Sequence, residues 1–338
     1  MKLLYRFFIA AFCVLMVSCS DDPDISPDLS GNEREVTVNP DGTTSSGVPF
    51  YMADDKSFFL DHILYEIVDA HLEIVGYETE WIAEHVRPYA YINFRGTKYP
   101  TRVVRCGFYN CKRIRSCELP ATITALTYKT FSFAPDGHGA FEGCVNLEYV
   151  NFPNGIKEIG ERSFYGCSSL KAIKTPSSLE SIKDYAFSGC TALSSLDIAN
   201  GIKYIKGCAF QKCSSLINVT LPPSLLEVLS PFPECERLQS ITLTGSGIKE
   251  IFGLAVYSPA LQNVTLPEGV ESVSLSSFNG CPSLVSITCM APEPPVFRKD
   301  PGCMFSPKDC VLRVPARSVL KYQEALGEYV KFKKIEAI

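Results

Sequence analysis

The feature that most constrains the fold is a repeated Phe-x-x-Cys motif, seen in SFYGCSSLKAIKTP at residues 163–176 and again in AFSGCTALSSLDIA 23 residues later. Successive cysteines of the motif are 33, 23, 23, 23, 22 and 46 residues apart, and the last step is twice 23. Ser258 lies midway in that step, within SPALQNVTLP, and marks a copy that has lost its Phe and Cys. The motif therefore predicts eight coils of about 23 residues. The motif cysteines are Cys111, Cys144, Cys167, Cys190, Cys213, Cys235 and Cys281.

Each coil follows the pattern A-F-x-x-C-x-x-L-x-x-I-x-L-P-x-x-I-x-x-I. The alternating apolar residues predict a half-buried strand, the Pro or Gly after them predicts a turn, and A-F-x-x-C predicts a tight helical turn. One such coil cannot bury its apolar face alone, whereas stacked coils share a core and pair their backbones at ~4.8 Å. The pattern predicts a β-rich solenoid with short helical turns, about 40 Å long over eight coils.

The segment ERSFYGCSSLKAIKTPSSLESIKDYAFSGC resembles the BspA-like branch of the leucine-rich repeat superfamily, and the resemblance covers roughly residues 58–338. The lead-in GTKYPTRVV resembles the end of that family's β-rich N-terminal cap, and CMAPEPPVF and CVLRVPARSVLKYQEALGEYVKF resemble its strand-and-helix C-terminal cap. The resemblance implies an N-terminal cap at residues 49–104, a leucine-rich repeat solenoid at 105–290 and a C-terminal cap at 291–338. Caps cover the exposed core and strand edges at the ends of a solenoid.

The beginning of the chain predicts an export signal. Lys2 and Arg6 precede the apolar run FFIAAFCVLMVS, so residues 1–18 are predicted to be a signal peptide. The run ends in LMVSC, which resembles a bacterial lipobox and implies that Cys19 is lipidated; ordinary secretion is the alternative. Residues 19–48 are rich in Pro, Gly, Ser and charge and predict a flexible stalk after the lipidated cysteine. The acidic SDDPD resembles the export signal of surface lipoproteins, which implies a lipid-anchored protein exposed on the outer membrane.

The repeated cysteine is interpreted as a packing residue. Stacking places the motif cysteines in one internal column, where a free Cys behaves as a small hydrophobe. Disulfides between coils are the alternative, because the chain is exported and has 15 cysteines. The replacement of one column member by Ser258 argues against obligatory pairing. Cys303 and Cys310 lie close in sequence and form either a disulfide or two separate thiols.

Catalysis, metals and nucleic acid are not expected. The net charge is −5, with acids and bases interspersed, so a basic stripe for phosphates is missing. The sequence has no G-x-S-x-G, H-E-x-x-H or phosphate-binding glycine loop, and its histidines are scattered at positions 62, 71, 85 and 138. No cofactor is predicted. A hydrolase with paired carboxylates in a cleft is the alternative that one sequence leaves open.

The departures from the repeat are the candidate ligand surfaces. About ten extra residues between the first two motif cysteines include TYKTFSFAPDGHG, and insertions in repeat proteins leave the coil as loops that often bind. They can equally fold back over the N-terminal cap. A basic cluster in the first coil is either a site for an acidic partner or a solvated edge: Arg102, Arg105, Lys112, Arg113 and Arg115. The predicted ligand surface comprises Tyr128, Phe131, Phe133, His138 and Tyr149.

The resemblance to the BspA-like family implies a non-enzymatic surface protein that adheres to host or bacterial proteins. The residues agree, because an anchored, elongated β surface without a catalytic motif suits binding. The partner is expected to be a protein or a glycan, the membrane is contacted through the lipid anchor only, and the protein is expected to be a monomer. The second hypothesis is an accessory glycan-capture lipoprotein of a nutrient uptake system. It requires exposed aromatic platforms such as Trp81, Tyr149 and the inserted loop.

Overall fold

The computed structural model describes residues 34–127, 129–131, 134–327 and 330–338, and only the backbone of residues 129–131 and 134–137. The described residues belong to one compact unit. They form a solenoid of β-strands with little helix, which confirms the predicted fold class. The predicted signal peptide and Cys19 lie outside the described residues.

The N-terminal part is a strongly curved set of strands that leads into the solenoid. Strands β2 to β5 form an antiparallel meander, β5 pairs with β8 in parallel, and β7 joins β8 to β1. The strands are β1 (Glu35–Val38), β2 (Phe50–Met52), β3 (Ser57–Leu60), β4 (Ile63–Val68), β5 (His71–Tyr77), β6 (His85–Val86), β7 (Tyr91–Phe94) and β8 (Thr97–Arg105).

Strand β1 corrects the predicted extent of the stalk. It lies within residues 19–48, yet it pairs with β7 in parallel, and Val36 and Val38 are buried. Val36 and Val38 alternate with polar residues in EVTV, so this short segment buries one apolar face against the N-terminal core. The folded domain therefore includes residues that composition alone assigned to a flexible stalk.

The repeats contribute two strands per coil, and the insertion adds an antiparallel hairpin of β11 and β12. The strands are β9 (Ser116–Cys117), β10 (Ala125–Thr127), β11 (Lys129–Phe131), β12 (Ala134–His138), β13 (Tyr149–Val150), β14 (Glu158–Ile159), β15 (Ala172–Lys174), β16 (Ser181–Ile182), β17 (Ser195–Asp197), β18 (Tyr204–Ile205), β19 (Asn218–Leu221), β20 (Glu227–Val228), β21 (Ser240–Leu243), β22 (Glu250–Ile251), β23 (Asn263–Leu266), β24 (Ser272–Ser274), β25 (Ser286–Cys289) and β26 (Val296–Arg298).

The C-terminal part continues the stack and then covers it. It contains β27 (Val311–Val314), helix α1 (Val319–Leu326) and β28 (Lys334–Ala337), with short 3-10 helices at Leu275–Phe278, Pro307–Asp309 and Ala316–Ser318. Tyr322 of α1 is buried, and its hydroxyl donates to the carbonyl of Ala291 at 2.8 Å. The helix is therefore held against the last coil by a buried polar contact as well as by packing.

The strands form two stacks, which we call the front face and the back face. The front face contains the parallel sheets β6-β9-β13, β15-β17 and β19-β21-β23-β25-β27-β28. The back face runs from β8 through β10, β14, β16, β18 and β20 and continues in β22-β24-β26. Each of the eight predicted coils supplies one front-face strand, but β6, β27 and β28 extend the described stack at its two ends. The prediction of eight coils was therefore too short.

A ladder of phenylalanine rings fills the space between the two faces. Neighbouring rings lie nearly parallel, with centroids 5.1 to 5.4 Å apart. The ladder ends where coil seven has Ala255 in place of Phe, beside a buried Leu254. The ladder rings are those of Phe108, Phe141, Phe164, Phe187, Phe210 and Phe232.

The glycine before many motif cysteines has a backbone reason. The residue at this position has a positive φ in every coil, for example +72° at Gly166 and +78° at Gly189. This left-handed conformation carries no steric cost for glycine. The Gly-Cys pair therefore marks the tight turn that returns the chain from the back face to the front face.

Candidate functional site

The motif cysteines form a buried column of hydrogen-bond donors. The Cys213 thiol donates to the carbonyl of Phe187 in the preceding coil at 3.3 Å, and Cys167 donates to Phe141 at 3.1 Å. Ser258 makes the same contact through its hydroxyl, to the carbonyl of Phe232 at 3.1 Å. Coil seven therefore lost the sulfur but kept the donor. The prediction of a purely apolar packing residue missed this role, which satisfies a buried carbonyl.

The chemistry of these thiols is that of inert, protonated groups. Burial raises the pKa of the Cys235 thiol to about 12 and that of Cys281 to about 11. The thiolate is the nucleophile and the metal ligand, so a raised pKa opposes both roles. All thirteen described cysteines are free, and Cys303 and Cys310 are two separate thiols that contact different carbonyls.

The predicted ligand surface is divided by the structure. Tyr128 and Phe133, and the side chain of Phe131, lie outside the described residues, so their aromatic patch stays a prediction. His138 ends the inserted hairpin and stacks on Tyr109 with ring centroids 3.7 Å apart. Tyr149 instead lies on the front face in β13, where its side chain is 53% exposed.

The basic cluster of the first coil does not form a positive patch. Arg105 pairs with Glu73 at 2.6 Å and also with Glu66. Arg115 pairs with Glu84 and Glu148, both at 3.1 Å. Arg113 donates through Nε to the carbonyl of Ile82, while Arg102 and Lys112 are exposed. Paired guanidinium groups present little net field, so the structure favours the solvated-edge interpretation over a site for acidic partners.

The back face carries an apolar interruption that we call the back-face patch, formed by Leu226, Leu229 and Phe252. Their exposed fractions are 50%, 39% and 45%. Leu229 and Phe252 form a parallel bridge, so their side chains stand next to each other. Exposed apolar residues scattered singly are ordinary, but three neighbouring ones form a contact surface.

The equivalent positions in neighbouring coils are mostly polar or charged. Lys157, Glu180, Lys203, Lys249 and Glu271 occupy the position of Leu226 in other coils, as the strand registers show. The position of Leu229 and Phe252 is taken elsewhere by residues such as Lys183, Lys206, Ser274 and Arg298. The patch is therefore a local departure from a repeat that keeps this face polar.

The rim of the patch consists of ion pairs. Lys203 pairs with Glu180 at 2.9 Å, Lys206 pairs with Glu227 at 2.7 Å, and Arg298 pairs with Glu250. Positive and negative groups thus alternate around three apolar side chains. An apolar centre with a polar rim is the usual composition of a protein–protein interface.

Comparison with known proteins now assigns the repeats. A family model for the BspA type leucine-rich repeat region matches residues 137–251 and 229–293, with six copies. The solenoid is a BspA-type leucine-rich repeat region. The back-face patch lies inside the matched residues, so it is a specialisation of the BspA-type repeat and not an inserted domain.

Solved structures show the same fold for the BspA-type solenoid. A leucine-rich repeat protein from Bacteroides ovatus is 20% identical, with a TM-score of 0.54 over 83% of this chain and 76% of that chain. A leucine-rich repeat protein of T. pallidum is 23% identical over 66% of this chain and 88% of that chain, at a TM-score of 0.45. A leucine-rich cell surface protein of Faecalibacterium prausnitzii is 15% identical over 84% and 95%, at 0.35. None of the curated proteins matches the chain.

The remaining polar groups of the BspA-type protein do not assemble a metal or membrane site in the described part of the chain. There, no three His, Cys, Asp or Glu residues come together as metal ligands. The histidines have individual partners, such as Glu78 at 2.7 Å from His62 and Ser116 at 2.8 Å from His85. Within the same ranges, no helix has the length and apolar character needed to cross a bilayer.

Proposed function

We propose that this protein is a non-enzymatic binding scaffold, anchored by lipid to the outer cell surface, whose back-face patch binds a partner protein. BspA-type leucine-rich repeats are typically scaffolds without catalytic activity. The observation that carries the proposal is the exposed trio of Leu226, Leu229 and Phe252 in a face that is otherwise polar. The rigid parallel strands present these side chains without an ordering cost on binding.

The chemistry of the patch defines the kind of partner. Three apolar side chains with both charge signs around them match a protein that presents aliphatic or aromatic side chains within a mixed polar rim. A glycan offers hydroxyl groups and no large apolar knob, so it fits this patch less well. Host matrix proteins and surface proteins of other bacteria are the partners that the resemblance implies.

Returning the patch to the residues of its neighbouring coils should abolish binding. In the triple variant Leu226→Lys, Leu229→Lys and Phe252→Ser, each new residue already stands at the same position in another coil. Affinity for a matrix or bacterial protein selected on an array should fall at least about 100-fold, because central apolar residues dominate interfaces. The measurement is surface plasmon resonance on protein without residues 1–18 and with Cys19→Ser.

The control is Tyr149→Ser, which removes an exposed aromatic residue from the front face and should leave that affinity unchanged. Melting temperatures of both variants should stay close to that of the parent, because exposed substitutions seldom change stability by more than about 0.5 kcal/mol. Undiminished binding of the same partner by the folded triple variant contradicts the proposal.

The lipid anchor is proposed on the LMVSC sequence alone. Cys19→Ala should eliminate incorporation of a fatty-acid analogue in a bacterial host that processes lipoproteins, because the anchor needs the thiol of that cysteine. Cys13→Ala, in the same apolar run, is the matched control and should leave labelling intact. Labelling that persists without Cys19 rules out this anchor, and protease resistance on intact cells argues against surface exposure.

A further inference from the structure

The chain has a single tryptophan, Trp81, and its side chain is 64% exposed. It lies in a tight turn after β5, in which the backbone N–H groups of Trp81 and Ile82 donate to the carbonyl of Glu78 at 3.2 and 3.1 Å. Ile82, the next residue, is buried and anchors the turn. The indole ring is therefore a large apolar surface that a rigid backbone holds in water, as binding sites for flat ligands require.

Trp81 borders a small cavity of about 130 Å³, which also touches His62, His85, Asp61 and Arg34. The rings of His62 and Trp81 are close to parallel, with centroids 6.2 Å apart and an interplanar angle of 22°. Since one water occupies about 30 Å³ of liquid volume, the cavity has room for about four waters. Its size suits part of one six-membered ring.

The His62 side of the cavity is built on a strained hairpin turn. Asp61 and His62 join β3 to β4 and both have positive φ, at +51° and +62°. A two-residue turn of this kind normally uses Asn-Gly. The His62 ring is held in place by Glu78 at 2.7 Å, so the imidazole keeps a defined position beside the indole. Residues held in such sparsely populated conformations cluster at binding sites.

The charged groups around the cavity are neutralised by their neighbours. Arg34 lies 3.5 Å from Asp61, and Arg87 lies 2.6 Å from Glu118. The site thus offers hydrogen-bond donors and acceptors around an aromatic face without a net charge for a counter-ion. A neutral sugar matches this chemistry, because one face of a pyranose ring is lined by C–H groups while its edge carries hydroxyls.

The surface continues from the cavity along the front face. His85, Ser116 and Tyr149 stand opposite one another in β6, β9 and β13. Strands are about 4.8 Å apart, so the exposed Tyr149 lies about 10 Å from His85. A second aromatic side chain at this distance suits a ligand longer than one ring.

We propose that the N-terminal cap binds a neutral oligosaccharide, with one pyranose ring stacked on Trp81 and the following rings lying along the row from His85 to Tyr149. The site is separate from the back-face patch and does not depend on the protein-binding proposal. The triple variant of that patch should therefore bind sugar normally, which keeps the two tests independent.

The single tryptophan makes the test direct, because intrinsic indole fluorescence reports on Trp81 alone. The full mature chain should be titrated with cellotetraose, maltotetraose, mannotetraose and chitotetraose, and with tetragalacturonate as an anionic counterpart. At least one neutral tetrasaccharide should give a saturable change in emission with a Kd between about 0.1 and 1 mM, the affinity expected of a shallow site. No saturable response to any neutral sugar, or a response to tetragalacturonate alone, overturns the proposal.

Variants then locate the site by ligand-detected saturation-transfer NMR, which needs no tryptophan. Trp81→Ala should weaken binding of the responding tetrasaccharide at least about tenfold, the equivalent of about 1.4 kcal/mol. Tyr149→Ala should weaken the tetrasaccharide severalfold but leave the corresponding methyl monoglycoside unchanged. The control Tyr257→Ala removes an exposed tyrosine of the solenoid and should have no effect. Full binding by folded Trp81→Ala overturns the assignment.

Discussion

Raising the pH from about 8 to about 10 under reducing conditions is expected to unfold the solenoid, because its column of buried thiols is stable only while protonated. Burial is the main cause that raises the pKa of six of these thiols above the ordinary value, so the folded state retains their protons after the unfolded state has released its own. The six are Cys144, Cys167, Cys190, Cys213, Cys235 and Cys281.

The sign and size of the effect follow from linkage. Below an unfolded pKa of about 8.5, both states are protonated and the full stability is present. Above it, each buried thiol lowers the free energy of unfolding by about 1.4 kcal/mol per pH unit until its folded pKa is reached. By about pH 10 each thiol has removed about 2 kcal/mol, and six remove about 12 kcal/mol. Domains are usually stable by about 5–15 kcal/mol in total.

The matched variant is Cys190→Ser with Cys213→Ser. Ser258 shows that a serine at this position makes the same hydrogen bond to the preceding coil, so the fold should persist at pH 7. Because two of the six titrating thiols are gone, the loss of stability between about pH 8 and 10 should shrink by about one third. Urea midpoints measured across this range test both statements. A midpoint that does not change up to pH 10 contradicts a column of buried, protonated thiols.

Phe187→Ala is expected to lower the free energy of unfolding by about 3–5 kcal/mol. The Phe187 ring is fully buried and lies between Phe164 at 5.1 Å and Phe210 at 5.4 Å, parallel to both within 2°. Neighbouring coils hold each other at a fixed spacing, so the wall of the resulting cavity cannot easily collapse. The melting temperature should fall by about 5–15 °C.

Tyr149→Ala is the control for this substitution, because it also removes an aromatic ring but from a side chain that is 53% exposed. Its stability should stay within about 0.5 kcal/mol of the parent protein. Equal melting temperatures for Phe187→Ala and the parent are incompatible with a ring in the core. Chemical denaturation with a spectroscopic readout distinguishes the two results.

The repeat predicted the solenoid correctly because its period is visible in the sequence. Residues 23 positions apart, such as Ile173 and Leu196, pair directly in neighbouring strands. The extent of the solenoid was harder to predict. Strands β6, β27 and β28 lack the Phe-x-x-Cys motif, and β1 is a four-residue strand within a polar segment. Pairing with an existing sheet edge stabilises such strands, and that contribution is absent from their local sequence.

The candidate sites were predicted less completely. Leu226 and Phe252 look like core residues in the sequence, and only the strand register shows that they replace charged residues on the outer surface. Trp81 was recognised as an aromatic platform. Its partner His62 was not, because the meander of β3, β4 and β5 brings together residues that are 19 positions apart. The one available signal for the patch was the loss of Lys or Glu at a position that other coils keep polar.

By itself, the sequence determined the repeating coil, its buried phenylalanine and cysteine columns and the absence of familiar catalytic motifs. Stacking makes every inward position face its equivalent in the next coil, so the same chemistry must recur at a fixed period and is readable in one dimension. Only the tertiary structure decided that the cysteines act as donors, that the first-coil arginines are neutralised and that apolar side chains gather on the back face. Those properties depend on which side chains meet across coils and across the N-terminal meander, and distance in the sequence does not encode such meetings.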